Sequence, residues 1–174
     1  MTQRSNGDIW GGCQHGLLFI YHAATKTTEK LVHPIFEKST IRQLTADRDG
    51  SLWFGTHAGH VIKWTAATNT FTLAHKLGRV IRRMIADSAG YIWACTEING
   101  IYRINTADNT IAAHYTPEGQ PGKVLSGHFT SDILQYNDSL FIITGKELNV
   151  LNVKNNTFKY FTADEGLPFN NVSN

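Results

Sequence analysis

The stretch Asp47-Arg48-Asp49-Gly50-Ser51-Leu52-Trp53-Phe54-Gly55-Thr56-His57-Ala58-Gly59 sets a tight turn, a nearly unbroken apolar run and a second glycine turn side by side. The same order recurs in GDIWGGCQHG (Gly7 to Gly16), in AGYIWACTEING (Ala89 to Gly100) and in a degraded copy, DSLFIITGKE (Asp138 to Glu147). The aligned aromatic residues are Trp10, Trp53, Trp93 and Phe141, which stand 43, 40 and 48 residues apart. Periods of that length belong to propeller blades or to helical solenoids.

The rest of the unit repeats as well. IRQLTAD (Ile41 to Asp47) and IRRMIAD (Ile81 to Asp87) precede the tryptophan, and HVIKWTAATNTFTLAH, IYRINTADNTIAAHY and NVLNVKNNTFKYF follow it. Each unit thus holds four short apolar or β-branched runs joined by polar turns, which is the pattern of four strands linked by hairpins. No apolar stripe with a 3.6-residue period persists, which excludes the helical solenoid. Asp49-Gly50 and Ala89-Gly90 supply residues that tolerate the positive φ of a tight hairpin. The Leu-Trp-Phe run is apolar on both faces, so it needs cover on both faces, as blades stacked around an axis provide. The predicted fold is an all-β propeller of about four blades, each of four antiparallel strands, spanning residues 1–39, 40–78, 79–127 and 128–168, with another blade beginning at 169–174. Trp10, Trp53, Trp93 and Phe141 are the expected wedges between blades, and Asp47, Asp87, Gly50 and Gly90 the expected turn formers.

The first unit has no counterpart of IRQLTAD, and DEGLPFNNVSN begins a unit that stops early. The chain therefore reads as a fragment of a larger propeller, or as a half-ring closed by dimerisation. In a cut arc the apolar end faces are expected around Trp10 and Phe141. The tail from Pro168 to Asn174 is the segment expected to pair with a partner's first blade in a homodimer.

Composition narrows the function. With 41% hydrophobic and 17% charged residues and a net charge of +2, the 174-residue chain carries no basic stripe, and nucleic acid is not an expected partner. No apolar run reaches the ~18 residues of a membrane span. Cys13 and Cys95 lack metal-ligand spacing and read as small hydrophobes. Asp47-x-Asp49-Gly50 resembles the start of a calcium loop, but Thr56 stands where the bidentate glutamate belongs. No phosphate loop, nucleophile elbow or paired carboxylate motif is present, so no metal, cofactor or catalytic residue is expected.

The pattern Ile-x-x-x-x-x-Asp-x-x-Gly-x-Leu/Ile-Trp-x-x-Thr, the Tyr-Arg-Ile-Asn-x-x-x-Asn-Thr that follows, and the Tyr160 to Pro168 junction Tyr-Phe-Thr-x-x-x-Gly-Leu-Pro resemble the two-component regulator propeller repeat. That resemblance implies the extracytoplasmic sensor region of a membrane-anchored hybrid histidine kinase, periplasmic in setting. The chain would then be a ligand-sensing or relay module, with an oligosaccharide as the fitting ligand. A protein-binding scaffold and, further off, a propeller lyase or lactonase are the alternatives. The family's motif residues are structural and carry over no ligand site.

Candidate ligand residues come from placement. Arg42, Arg82 and Arg83 lie on first strands, which line a propeller's channel, and Asp132 lies near the equivalent place in the fourth unit. His15, His57 and Glu97, with His60 nearby, lie in the turn after the second strand, on the same face of the ring. Planar guanidinium groups suit carboxylates and sulfates. Trp64 and Tyr102 offer aromatic faces that suit either core packing or sugar stacking.

Overall fold

In a computed structural model that describes residues 1–167, the chain forms four antiparallel four-stranded sheets and nothing longer than a single turn of helix. The first sheet comprises β1 (Thr2–Gln3), β2 (Ile9–Gly12), β3 (Leu17–His22) and β4 (Thr27–Val32). β5 (Ile41–Ala46), β6 (Leu52–Thr56), β7 (His60–Thr65) and β8 (Thr70–Lys76) form the second. The third holds β9 (Ile81–Ala86), β10 (Tyr91–Thr96), β11 (Ile101–Asn105) and β12 (Ile111–Tyr115). The fourth holds β13 (Thr130–Gln135), β14 (Leu140–Gly145), β15 (Leu148–Asn152) and β16 (Thr157–Phe161). Every sheet runs in chain order, and the first strands β5, β9 and β13 lie against one another. Sheets that meet by their first strands and splay outward are the blades of a propeller. Among the described residues the four blades do not close a ring.

The local chemistry of each blade is that of its first hairpin. Asp47 Oδ1 accepts the N–H groups of Asp49 (3.1 Å) and Ser51 (2.9 Å), and Gly50 takes φ +77° to finish the turn. Asp47 Oδ2 accepts the Trp53 indole N–H at 2.9 Å. Blade three repeats this: Asp87 Oδ1 accepts from Ala89 and Tyr91, Asp87 Oδ2 accepts from Trp93 Nε1 at 2.8 Å, and Gly90 sits at φ +86°. Both oxygens of each aspartate are thus engaged by backbone and indole donors, which accounts for the motif without calcium. A single side chain ties the hairpin to the residue that packs against the next blade.

Three apolar clusters hold the arc together, each shared by two consecutive blades. Trp10 packs with Leu52, Phe54 and Trp64, Trp53 with Ile81, Ile92 and Ile104, and Trp93 with Ile133, Phe141 and Ile143. Along β6 the side chains alternate between clusters, with Leu52 and Phe54 facing blade one and Trp53 facing blade three. This is the two-sided burial expected of the non-alternating run. Gly100, at φ +67°, is the tight point of the third blade, because a Cβ there would strike the Tyr115 carbonyl oxygen. Cys95 is fully buried, and burial pushes its thiol well above the ordinary range; Cys13 is half-buried and also free.

Three expectations need correction. Blade one does possess a first strand, the two-residue β1, in which Thr2 pairs with Trp10 and Gln3 with Ile9; so short a run carries no readable period. In blade four, Phe141 is not the counterpart of the tryptophans. The Tyr136 N–H bonds the Leu140 carbonyl as the Asp47 N–H bonds that of Ser51 and the Asp87 N–H that of Tyr91. This sets Phe141 level with Leu52 and Ile92, and Ile142 level with Trp53 and Trp93. Phe141 therefore points back into blade three, 4.4 Å from the Trp93 ring, and not forward. It follows that neither Trp10 nor Phe141 marks an open end. The uncovered face of blade one carries Ile9 and Phe19, and that of blade four carries Leu134 and Tyr136, all exposed. The tail Pro168 to Asn174 lies outside the described residues. Among the described residues no helix is long and apolar enough to cross a membrane.

Candidate functional site

Arg42 and Arg82 hold the same place in successive blades, as the second residue of β5 and of β9. The turn that follows β6 or β10 is bound back onto the start of the first strand: the His57 N–H donates to the Thr40 carbonyl and the Glu97 N–H to that of Val80. The repeat therefore sets each first-strand arginine against the turn residue of its own blade. Arg42 Nη1 lies 3.5 Å from His57 Nδ1, and Arg82 Nη2 donates to Glu97 Oε1. Arg83, one residue further along β9, reaches across to the next blade, where its Nε stands 3.0 Å from Asp132 Oδ1. Arg82 also lies 5.8 Å from the Phe129 ring.

Five of the six candidate ligand residues thus meet in pairs along one end of the inner strands. The electrostatics of the pairs differ. Arg82 and Arg83 each face a carboxylate, with side chains 37–46% exposed. Exposed ion pairs of this kind add little to stability, typically about 0–1 kcal/mol. Arg42 faces only a histidine and has no acid partner among the described residues, so its charge remains free for an anionic group. His15 does not join the set. It is exposed, takes a left-handed φ of +57°, and stands one position beyond the counterpart of His57 and Glu97, which is Gln14. The first blade's turn, the 3-10 segment Gln14–Gly16, is as long as that of blade two, so His15 falls level with Ala58 and not with His57.

The remaining candidates are structural. His60 is 6% exposed, with Nε2 4.0 Å from Glu37. Trp64 is 5% exposed and donates its indole N–H to Asn69. Tyr102 stacks on His114 with centroids 3.9 Å apart, and burial raises its phenol above the usual range. Neither ring is a free platform. Among the described residues no three metal-ligating side chains converge. Sequence reasoning missed Gln14 and also Arg4, which occupies the position of the motif aspartate. The signal for Arg4 was present, since Arg4 through Trp10 keeps the spacing of Asp47 through Trp53.

The family model for the two component regulator propeller matches residues 36–58, the stretch that contains the second blade's hairpin and tryptophan. No curated protein matches the chain. Among solved structures, the extracellular domain of BT4673 from B. thetaiotaomicron matches at TM-score 0.72 and 18% identity, over 94% of this chain and 25% of that one. The Myceliophteria_thermophila Cps50 (Swd1) β-propeller domain matches at TM-score 0.69 and 13% identity, over 91% of this chain and 54% of that one. PorZ of Porphyromonas gingivalis, a surface component of a type-IX secretion system, matches at TM-score 0.61 and 17% identity, over 82% and 24%. At such identities the likeness is one of fold, and this chain spans a quarter of the length of the BT4673 domain. The chain thus carries one two component regulator propeller repeat, at residues 36–58, on four blades of a propeller fold.

Proposed function

We propose that this chain is a ligand-recognition stretch of the extracytoplasmic, periplasmic sensor region of a membrane-anchored two-component regulator. On this reading it is not an enzyme: it binds an oligosaccharide at the rim formed by Arg42, His57, Arg82, Glu97, Arg83 and Asp132. The observation that supports the reading is the uneven pairing of the rim. Two arginines are neutralised by fixed carboxylates, while Arg42 is left with His57 alone. An acidic substituent on a sugar, a sulfate or a carboxylate, is the group that a free planar guanidinium takes best. Calorimetric titration with a panel of neutral and sulfated oligosaccharides tests this. A sulfated member is expected to bind saturably, and Arg42→Gln to weaken that binding by about tenfold, the loss of one charge-assisted hydrogen bond. If no member binds, or if Arg42→Gln binds as well as the parent chain, the rim is not the site.

A second reading, association through the end faces, is favoured by the exposed Ile9 and Phe19 at one end and Leu134 and Tyr136 at the other. In each internal junction the forward face of one blade meets the backward face of the next, so two copies can repeat that junction twice by joining blade four to blade one. Sedimentation is expected to show a homodimer that Leu134→Asp converts to a monomer. A monomeric parent chain at tens of micromolar would end this reading, since junctions of comparable size hold well below that concentration.

A further inference from the structure

A cleft of about 640 Å³ opens between blades one and two, toward their outer strands. Along it the first repeat lacks the aspartate–tryptophan pair found in blades two and three. Arg4 takes the aspartate's place, with its N–H bonded to the Asp8 carbonyl at 2.8 Å as that of Asp47 is bonded to Ser51 at 2.9 Å. Trp10 keeps its wedge position at 6% exposure. Its Nε1–H, which in the other two blades ends on a carboxylate, has no acceptor among the described residues, and neither has the buried Nε–H of Arg4. Buried donors are almost always satisfied, so two orphans lining one cleft call for an acceptor.

The cleft's own acids do not supply it. The Arg4 guanidinium lies 4.6 Å over the Trp64 ring and takes part in no ion pair among the described residues. Asp8 and Glu29, which share the cleft, turn instead to His22, at 3.6 and 3.1 Å from its two ring nitrogens. The Ala23 N–H, followed by Asn6 and His22, holds the Asp8 carboxyl below its ordinary value. The blade-one side of the cleft therefore carries donors with no acceptor, on Arg4 and Trp10, together with two carboxylates, Asp8 and Glu29.

We infer that this cleft binds a hydroxylated carboxylate, a uronic acid or the uronate end of a saccharide, whose carboxylate is taken by Arg4 and the Trp10 N–H and whose hydroxyls donate to Asp8 and Glu29. A neutral sugar leaves the guanidinium without a counter-charge, and an amino sugar brings a cation against it. The site stands apart from the rim and does not rest on the reading of Arg42.

Sodium D-glucuronate added to the ¹⁵N-labelled chain tests the assignment, with D-glucose and sodium chloride as controls and the Trp10 indole resonance, identified by its loss in Trp10→Phe, as the readout. Glucuronate is expected to move that resonance saturably, with a dissociation constant on the order of millimolar. Glucose and chloride are expected to leave it in place. Arg4→Asp installs the acid that blades two and three already carry, so it is expected to fold, to give the Trp10 N–H its acceptor and to weaken glucuronate binding by about tenfold or more. Arg4→Gln, which removes only the charge, is expected to show a loss of the same order. A Trp10 resonance that moves no further with glucuronate than with chloride overturns the proposal. So does undiminished binding by Arg4→Asp and Arg4→Gln.

Discussion

Replacing Trp93 with alanine is expected to lower the free energy of unfolding by about 3–5 kcal/mol, the cost of truncating a fully buried aromatic residue whose surroundings cannot collapse. Trp93 is 0% exposed, lies 4.4 Å from the Phe141 ring and stacks on Tyr115 at 5.8 Å with only 9° between the planes. These rings come from blades three and four, so the cavity would open along the junction between them and not within one blade. Urea unfolding measures the loss as a lower midpoint. A second sign is expected in the slope: because the damage falls on one junction, blade four should begin to unfold before the rest, and the apparent m value should drop as two-state behaviour fails. An unchanged midpoint would mean that the residue is not a wedge.

Asp87→Ala is expected to cost a similar amount, about 3–5 kcal/mol, for a different reason. The carboxylate is buried, with its side chain 1% exposed, and it answers four donors: the Ala89 and Tyr91 N–H groups, the Trp93 indole, and Arg103, whose guanidinium stands 3.5 Å away. Removing it leaves the indole N–H and a largely buried cation without an acceptor, and an abandoned buried partner costs more than the bond itself was worth. Arg103 also stacks 3.7 Å from the Tyr91 ring, which fixes it in place and prevents it from swinging out to water. Since Asp87 acts partly through Trp93, the double replacement should cost less than the sum of the two, and a chemical-denaturation cycle of both single variants and the double variant reads that coupling.

Most of the fold was legible because the hairpin chemistry is local. Asp47 and Gly50 sit within a few residues of the indole they serve, so spacing alone reveals them. What failed was register. In blade four Tyr136 replaces the aspartate and Ile142 the tryptophan, and with both markers gone the nearest aromatic residue, Phe141, reads as the wedge. A slip of one residue moves every side chain to the other face of a strand, which is why a small misalignment reversed the assignment of the open end. The strand β1 escaped notice because two residues show no alternation. The rim was partly legible: position along the strand and in the turn brought Arg42, His57, Arg82 and Glu97 to one edge. Which residue neutralises which depends on side-chain reach across blades, as with Arg83 and Asp132, and no spacing encodes that. The cleft beside Trp10 was legible only by subtraction, from an arginine standing where the repeat asks for an acid.

Tryptophans sealed between blades, with their indole N–H groups held by the motif aspartates, hold the arc together. Side-chain hydrogen exchange of those N–H groups, followed by ¹⁵N-resolved NMR after transfer to heavy water, measures this directly. The Trp53 and Trp93 indoles are expected to exchange only through opening of a blade junction, many orders of magnitude more slowly than a free indole, and Asp47→Asn and Asp87→Asn are each expected to hasten the exchange of their own tryptophan alone. Exchange of either indole at the rate of an exposed side chain in the parent protein would contradict the stacked-blade arrangement.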